Sequence, residues 1–414
     1  MSIFYDSLEI RSSQERTVQQ FSALNDMIAQ VLHQSPYYGE LLADFAGLKE
    51  IDAAMLAKMP LTRKSDLQAL QQERPPFGSL TELSAPTLAR LFASPGPIYE
   101  PETDRRDYWR FARALYAAGI RPGELLYNCF SYHFTPAGAM VESGAFALGC
   151  AVFPAGTGQT ELQARTIADL RPQAYVGTPS FLKIILDKGD ELGVDLGSLG
   201  KGLVSGEYFS PELRSEFSAR GIEVLQCYAT ADLGLIAYES FADQGMILDE
   251  GVIVEIVRPG TGEPVVDGEV GEVVVTCLNP DYPLIRFATG DLSAILAGSS
   301  PCGRTNRRIK GWMGRADQST KVRGMFVHPS QIAEVLSRHD EAIRGRLVLS
   351  RNSRGLDEAS LQIETESIDQ AALAGALTDS FQRITRLRAE VSLCQPGFLA
   401  NDGKVIDDLR PIDQ

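Results

Sequence analysis

Two segments in the second half of the chain carry side chains whose types and spacing suit the handling of a sugar diol and phosphates. In YPLIRFATGDLSAI (282–295), Asp291 follows Thr-Gly at the end of a β-like run. A carboxylate placed there can accept hydrogen bonds from both hydroxyls of a ribose, a geometrically selective contact. Taken alone, the same aspartate reads first as a turn cap. GRADQSTKVRGMFVHPSQIAEVL (314–336) follows closely, and its Arg315, Lys321 and Arg323 place cations on a glycine-rich stretch. The two segments in this order point beyond turn capping. Those cations matter because the chain is acidic: 39 Lys and Arg against 54 Asp and Glu give a net charge of −15. Such a surface repels nucleic acid and anionic lipid at long range, so neither is expected as a partner, and any anionic ligand must be met by a local cluster of donors.

The elements that must position these residues can be read from the patterning. The chain has 414 residues, 44% hydrophobic and 22% charged, an ordinary globular balance with room for two or three domains. Residues 12–60 read as polar helices ending at Pro60. From about residue 105 short apolar runs alternate with helices: a helix over 106–118, a strand over 125–130, then helix 137–148, strand 151–154 and helix 160–170. The alternation continues through AYVGT, SFLKIILDKGDEL, KGLVSGE, PELRSEFSAR and EVLQCYA. Strand–helix alternation of this kind predicts a mostly parallel sheet covered on both faces. After about residue 245 the texture becomes β-rich, with VIVEIV, GEVVVTCL and LSAIL separated by turns. Near residue 317 it changes again to a hairpin, helices and strands that form a small α+β unit. The tail NDGKVIDDLR reads as a mobile polar loop. The fold class is therefore α/β: a large N-terminal domain of mixed and parallel sheets with covering helices and a β-rich subdomain, then a small α+β C-terminal domain. Six scattered cysteines without a CxxC pair, a charged N-terminus and no apolar run of membrane length predict a cytoplasmic protein.

The ordered set YNCFSYHFTPAGAMVESGAFALGCAVFPAGTGQTELQARTIADLRPQAYVGTPSF (127–181), VSGEYFS, YATADLG, YPLIRFATGDL, GRADQSTKVRG and a terminal GK resembles the phenylacetate–CoA ligase branch of the acyl-adenylate-forming superfamily. The resemblance spans almost the whole chain. It implies an N-terminal AMP-binding domain over 1–316 and a mobile C-terminal domain over 317–414, with the hinge at Asp317. It also implies an ATP-dependent acid–CoA ligase that works through an acyl-adenylate, uses ATP/AMP, CoA and Mg2+, and is a homodimer in relatives. By the same resemblance Ser205, Gly206 and Glu207 line the adenine pocket. Tyr228, with Ala229 and Thr230, flanks the base, and Asp232 holds the magnesium. Asp291 takes the ribose hydroxyls with Arg315 nearby. Lys321, Arg323 and Gly324 accompany Asp317 at the hinge and toward CoA. Lys404, by itself a solvated tail lysine, becomes the residue that places an ammonium between carboxylate and α-phosphate.

Three departures from the family pattern stand out. The hydroxyl-rich phosphate loop is replaced by FASPGPIYEP (92–101), where Ser94 and Gly96 remain, two prolines remove N–H donors, and Glu100 and Glu102 add negative charge. Either the loop is tolerated as it stands, or pyrophosphate handling is altered or ATP is not the donor. The usual Tyr-Gly-x-Thr/Ser-Glu has become Tyr228-Ala229-Thr230-Ala231-Asp232, which shortens the carboxylate by one methylene. Cys302 stands where relatives tend to pair cysteines, and reads as an ordinary loop thiol. For the acid, Phe130, Tyr132, His133 and Phe134 follow the strand leading toward the acyl pocket and suit an aromatic acid, although they would serve equally as core aromatics. Two alternatives stay open: transfer of the acyl group to a carrier-protein thiol, and a relative that binds nucleotide or acyl-CoA without adenylating.

Overall fold

The alternation of short apolar strands with amphipathic helices between Leu125 and Thr230 builds a parallel sheet, in a computed structural model of the chain. The structure describes residues 3–48, 50–240, 244–316, 318, 320–322, 325–351 and 357–410. Strand Leu125–Asn128 pairs in parallel with Ala151–Pro154 on one side and with Ala174–Gly177 on the other. Lys201–Val204 and Glu223–Thr230 continue the parallel series. Each parallel step requires a crossover, supplied by helices Ala137–Leu148, Thr160–Leu170, Pro179–Leu192 and Pro211–Ala219.

Period-two alternation divides each strand between two cores. Leu126, Val176 and Leu203 point into one cluster with Phe111, Leu115, Met140 and Ala145. Their immediate neighbours Tyr127, Tyr175 and Val204 point into the other, with Leu182, Ile185 and Phe217. Burying each such side chain contributes roughly 1.5–3 kcal/mol, so a one-residue slip would exchange both cores at once. Thr178 and Ser210 cap the helices that follow two of these strands, accepting from Phe181 N and Leu213 N. Beyond Thr230 the sheet turns antiparallel through Gly234–Tyr238, Met246–Leu248 and Arg308–Ile309.

Two expectations change. The helix expected over 106–118 spans Phe111–Ala117. Asp107 and Arg110 take left-handed φ of 52° and 67°, and the Asp107 carboxylate accepts from Ala112 N at 3.1–3.2 Å, so the chain turns before the helix begins. The tail expected as a loop contains a strand, Ile406–Asp408, paired in parallel with Leu347–Leu349.

The chain divides into two compact units. The first comprises Met1–Val254, Val275–Ala288 and Leu296–Trp312. The second comprises Glu255–Val274, Thr289–Ile295 and Met313–Gln414. In the second, a sheet in the order Glu390–Cys394, Asp357–Glu364, Arg344–Arg351, Ile406–Asp408 presents Leu347, Leu349, Leu361 and Ile363 on one face. That face is covered by Ile332 and Val335 of helix Pro329–Leu336 and by Leu377 and Phe381 of helix Gln370–Thr385. A smaller cluster of Val270, Leu292, Ala294 and Ala316 lies in the same unit. Among the described residues no helix is long and apolar enough to cross a membrane.

Candidate functional site

The parallel strands Leu125–Asn128, Lys201–Val204 and Glu223–Thr230 end on the same edge of the sheet, and the expected site residues of the first unit sit at those ends. In open α/β sheets ligands bind beyond the carboxyl ends of the strands. Ser205 directly follows its strand; its backbone N–H donates to Gly177 O at 3.2 Å, and its hydroxyl to Cys227 O at 2.8 Å. Gly206 takes a φ of +86°, which turns the chain sharply away from the sheet. The Glu207 carboxylate accepts from Ser180 N at the start of helix Pro179–Leu192, and Gln226 Nε2 donates to Glu207 O at 3.2 Å. Half-buried Tyr228 and Ala229 flank a register shift, and the Thr230 hydroxyl accepts from Leu233 N at 3.1 Å. The structure thus brings the Ser205–Glu207 and Tyr228–Thr230 segments side by side.

Asp232 follows on the turn into the antiparallel strand. Its side chain is 2% exposed, and Oδ2 accepts from Lys64 Nζ at 3.0 Å. Oδ1 is buried and has no hydrogen-bond partner among the described residues. Lys64 opens helix Lys64–Glu73, and the sequence reading missed it because 168 positions separate it from Asp232. Gln71 on the same helix is buried, and its side-chain amide both donates to Tyr99 O (2.9 Å) and accepts from Tyr99 N (2.7 Å), fixing the helix to the strand Ile98–Glu102.

The segment 92–101 forms an antiparallel hairpin of Arg90–Ser94 and Ile98–Glu102. Ser94, which in sequence looked available to a phosphate, is engaged: its N–H donates to Glu100 Oε2 at 3.1 Å and its hydroxyl to Oε1. Glu100 is fully buried. Burial first, then the negative charge of Asp232, push its carboxyl up to about 7, against the lowering by Ser94 and Lys64. Glu102 is buried and paired with Arg90 at 2.8 Å. Both acidic residues therefore face inward, each onto a partner in the same hairpin.

The hairpin borders the aromatic loop, since Ala93 N donates to Phe134 O at 3.0 Å. Phe130 packs on the core, whereas Tyr132, His133 and Phe134 are exposed. The Tyr132 hydroxyl accepts from Asn128 Nδ2 (2.8 Å) and donates to Glu142 (3.1 Å), and the His133 and Phe134 rings meet edge to face at 4.7 Å.

In the second unit, Asp291 is buried and accepts from Arg315 Nη1 at 2.8 Å; the two residues also form a β-bridge. Gly290, with φ of +73°, lets the guanidinium lie over the backbone, where a Cβ would come within 2.7 Å of Nη2. The Arg315 side chain is 59% exposed, so the pair presents a cation outward from a buried anion. Lys404 Nζ is 2.7 Å from Asp407 Oδ1. Lys321 lies on the hairpin strand Thr320–Val322, opposite Phe326. The side chain of Lys321, together with Asp317, Arg323 and Gly324, lies outside the described residues.

Cys302, expected as an ordinary loop thiol, is buried, with its sulfur 3.0 Å from the Ser300 hydroxyl and accepting from Arg304 Nη1 at 3.5 Å. Burial pushes the thiol pKa up, but hydrogen bonds from Ser240, Ser300 and Arg304 outweigh it and leave the thiol below its ordinary range. Among the described residues no group of three or more His, Cys, Asp or Glu could hold a metal ion.

Against known proteins, the family model described as AMP-binding enzyme matches residues 106–277. The phenylacetate–coenzyme A ligase of Thermus thermophilus is 30% identical, over 94% of this chain and 92% of that protein. The phenylacetate–coenzyme A ligase of Escherichia coli K12 is 31% identical over 87% and 84%. Among solved structures, 2-hydroxyisobutyryl-CoA ligase in its postadenylation state superposes with a TM-score of 0.73 at 23% identity, covering 98% of this chain and 92% of that one. At that identity the likeness is one of fold.

Proposed function

The chain belongs to the phenylacetate–coenzyme A ligase family of AMP-binding enzymes, and on that premise we propose that it is an AMP-forming ligase joining an aromatic carboxylic acid to CoA. The observation that carries the reading is the gathering of Ser205–Glu207, Tyr228–Asp232 and the Phe130–Phe134 loop at the carboxyl ends of strands of one parallel sheet. The reaction has two steps. A carboxylate oxygen attacks the α-phosphorus of ATP, the bond to pyrophosphate breaks, and an acyl-adenylate forms. The CoA thiolate then attacks the acyl carbon, and AMP departs with the electrons of the C–O bond.

The residues divide this work. Ser205, Gly206, Glu207 and Tyr228 with its neighbours Ala229 and Thr230 bound the adenine; Asp291 accepts the ribose hydroxyls; Arg315 lies beside it. Lys404 brings an ammonium to the carboxylate and α-phosphate, offsetting charge that develops in the transition state. The buried, unpartnered Oδ1 of Asp232 fits a hard cation. Asp232 is the residue we assign to hold magnesium, which when bound neutralises phosphate charge, and Lys64 on the other oxygen supplies a second cation beside the phosphates. The acid lies against Phe130, Tyr132, His133 and Phe134. A domain over 317–414, turning at Asp317, delivers Lys404 for the first step, and Lys321, Arg323 and Gly324 accompany CoA in the second.

Incubation with ATP, Mg2+, CoA and phenylacetate or benzoate, followed by mass spectrometry, should show aryl-CoA with AMP and pyrophosphate. ADP in place of AMP, or thioester from none of a panel of acids, overturns the proposal. The buried Glu100, holding both donors of Ser94, favours one competing reading: a relative that binds nucleotide without adenylating. AMP binding without pyrophosphate exchange would select it.

A further inference from the structure

We propose that Gln318 and Asn401 are positioning residues for Lys404, Gln318 by holding the backbone on either side of it and Asn401 by anchoring the loop, in the register from which the lysine acts during adenylation. The proposal rests on the assignment of Lys404 given above. A lysine side chain has four rotatable bonds, so its own contacts do little to decide where its ammonium can reach. Here Lys404 Nζ rests on Asp407, but the side chain is 46% exposed and such a surface pair is weak. What decides the reach is the backbone from which the side chain leaves; Gln318 grips that backbone, and the Asn401 side chain anchors the start of the loop to residues 268 and 270.

Gln318 Nε2 donates to Gly403 O at 2.9 Å, and Gln318 Oε1 accepts from Val405 N and from Ile406 N, the latter at 2.8 Å. These partners bracket Lys404 on both sides. Asn401 makes the second attachment: its Oδ1 accepts from Val270 N at 3.0 Å and its Nδ2 donates to Gly268 O at 3.0 Å. Each amide thus uses both a donor and an acceptor, an orientation that a single contact would leave open. Between them Gly403 takes a φ of +71°, and a Cβ there would lie 2.8 Å from Val270 and 3.1 Å from Leu292. The loop can approach that surface because residue 403 has no side chain.

The test uses the full chain with Gln318→Ala, Asn401→Ala and, as reference, Lys404→Ala. Two properties are read: hydrogen exchange of the peptide carrying residues 399–409, and the half-reactions assayed separately. The proposal predicts faster exchange at the Val405 and Ile406 amides in Gln318→Ala. It also predicts that pyrophosphate exchange falls about tenfold or more, because a displacement of about 1 Å costs on the order of a hundredfold. Thioester formation from supplied aryl-AMP should stay within about twofold, since the lost interaction serves adenylation. Asn401→Asp, which keeps the acceptor for Val270, should recover part of the loss. Unchanged pyrophosphate exchange despite a loosened loop overturns the proposal, as does equal loss in both half-reactions, the signature of a merely structural role. If Lys404→Ala retains pyrophosphate exchange, the proposal falls through its premise, and the failure is recognised because the loop still loosens in Gln318→Ala.

Discussion

Two aspartates, Asp232 just beyond one strand and Asp291 within another, each meet a cation while staying buried themselves. For Asp291 the partner is largely exposed, and in the proposed site the carboxylate would accept the ribose hydroxyls beside it. Hydrogen bonds to a charged acceptor contribute about 1.5–3 kcal/mol. Asp291→Ala should therefore weaken AMP binding by about tenfold to a hundredfold in calorimetric titration; unchanged affinity would remove Asp291 from the site. Glu100 makes a different prediction. Its carboxyl is pushed up to about 7, chiefly by burial, as is that of Asp107. Both folded values lie above the unfolded ones, so the folded chain retains protons that the unfolded chain releases. The resulting stability is fully present below the unfolded pKa and is lost as pH rises through about 7. Thermal midpoints should thus fall between about pH 4.5 and 7, and less steeply in Glu100→Gln, which cannot titrate. An identical slope in the variant would show that Glu100 does not hold its proton in the fold.

At the scale of elements, what is legible in sequence is what depends on local pattern. Short apolar runs between helices announce the parallel sheet, and YATAD announces the end of its last parallel strand, whereas the strand carrying ATGD runs on to Ser293. The hairpin 92–101 is legible as a departure but not in its consequence. Nothing in FASPGPIYEP shows that Glu100 turns inward onto Ser94, because the partner is chosen by a strand register. Lys64 is hidden for the same reason: a helix start far from Asp232 in sequence gives no local sign of the pairing. The tail strand is invisible because Val405 and Ile406 sit in an otherwise polar stretch, and Ile406 finds its place only once Leu347 and Leu349 form the neighbouring strand. Ile406 is 4% exposed. Ile406→Ala should cost about 2–4 kcal/mol in chemical denaturation, as for other buried large-to-small changes. A cost below about 0.5 kcal/mol, the range of exposed substitutions, would mean the tail strand is not packed.

For the molecule as a whole, the net charge of −15 and an anionic substrate are compatible because cations are placed locally. Lys64, Arg315 and Lys404 each sit within 3.0 Å of a carboxylate, poised beside buried or structured acid rather than spread over the surface. If the C-terminal segment delivers Lys404 for one step and withdraws it for the other, Lys404→Ala should suppress adenylation by about a hundredfold or more while sparing thioester formation from supplied aryl-AMP. Equal loss in both steps would remove the alternation. Everything proposed for the site depends on whether this chain adenylates a carboxylic acid despite the inward-turned hairpin. The most direct measurement is exchange of labelled pyrophosphate into ATP with a panel of aryl and aliphatic acids, in the absence of CoA. Acid-dependent exchange is expected, strongest with aryl acids such as phenylacetate. Absence of exchange with every acid, in a protein that still binds AMP, would contradict it.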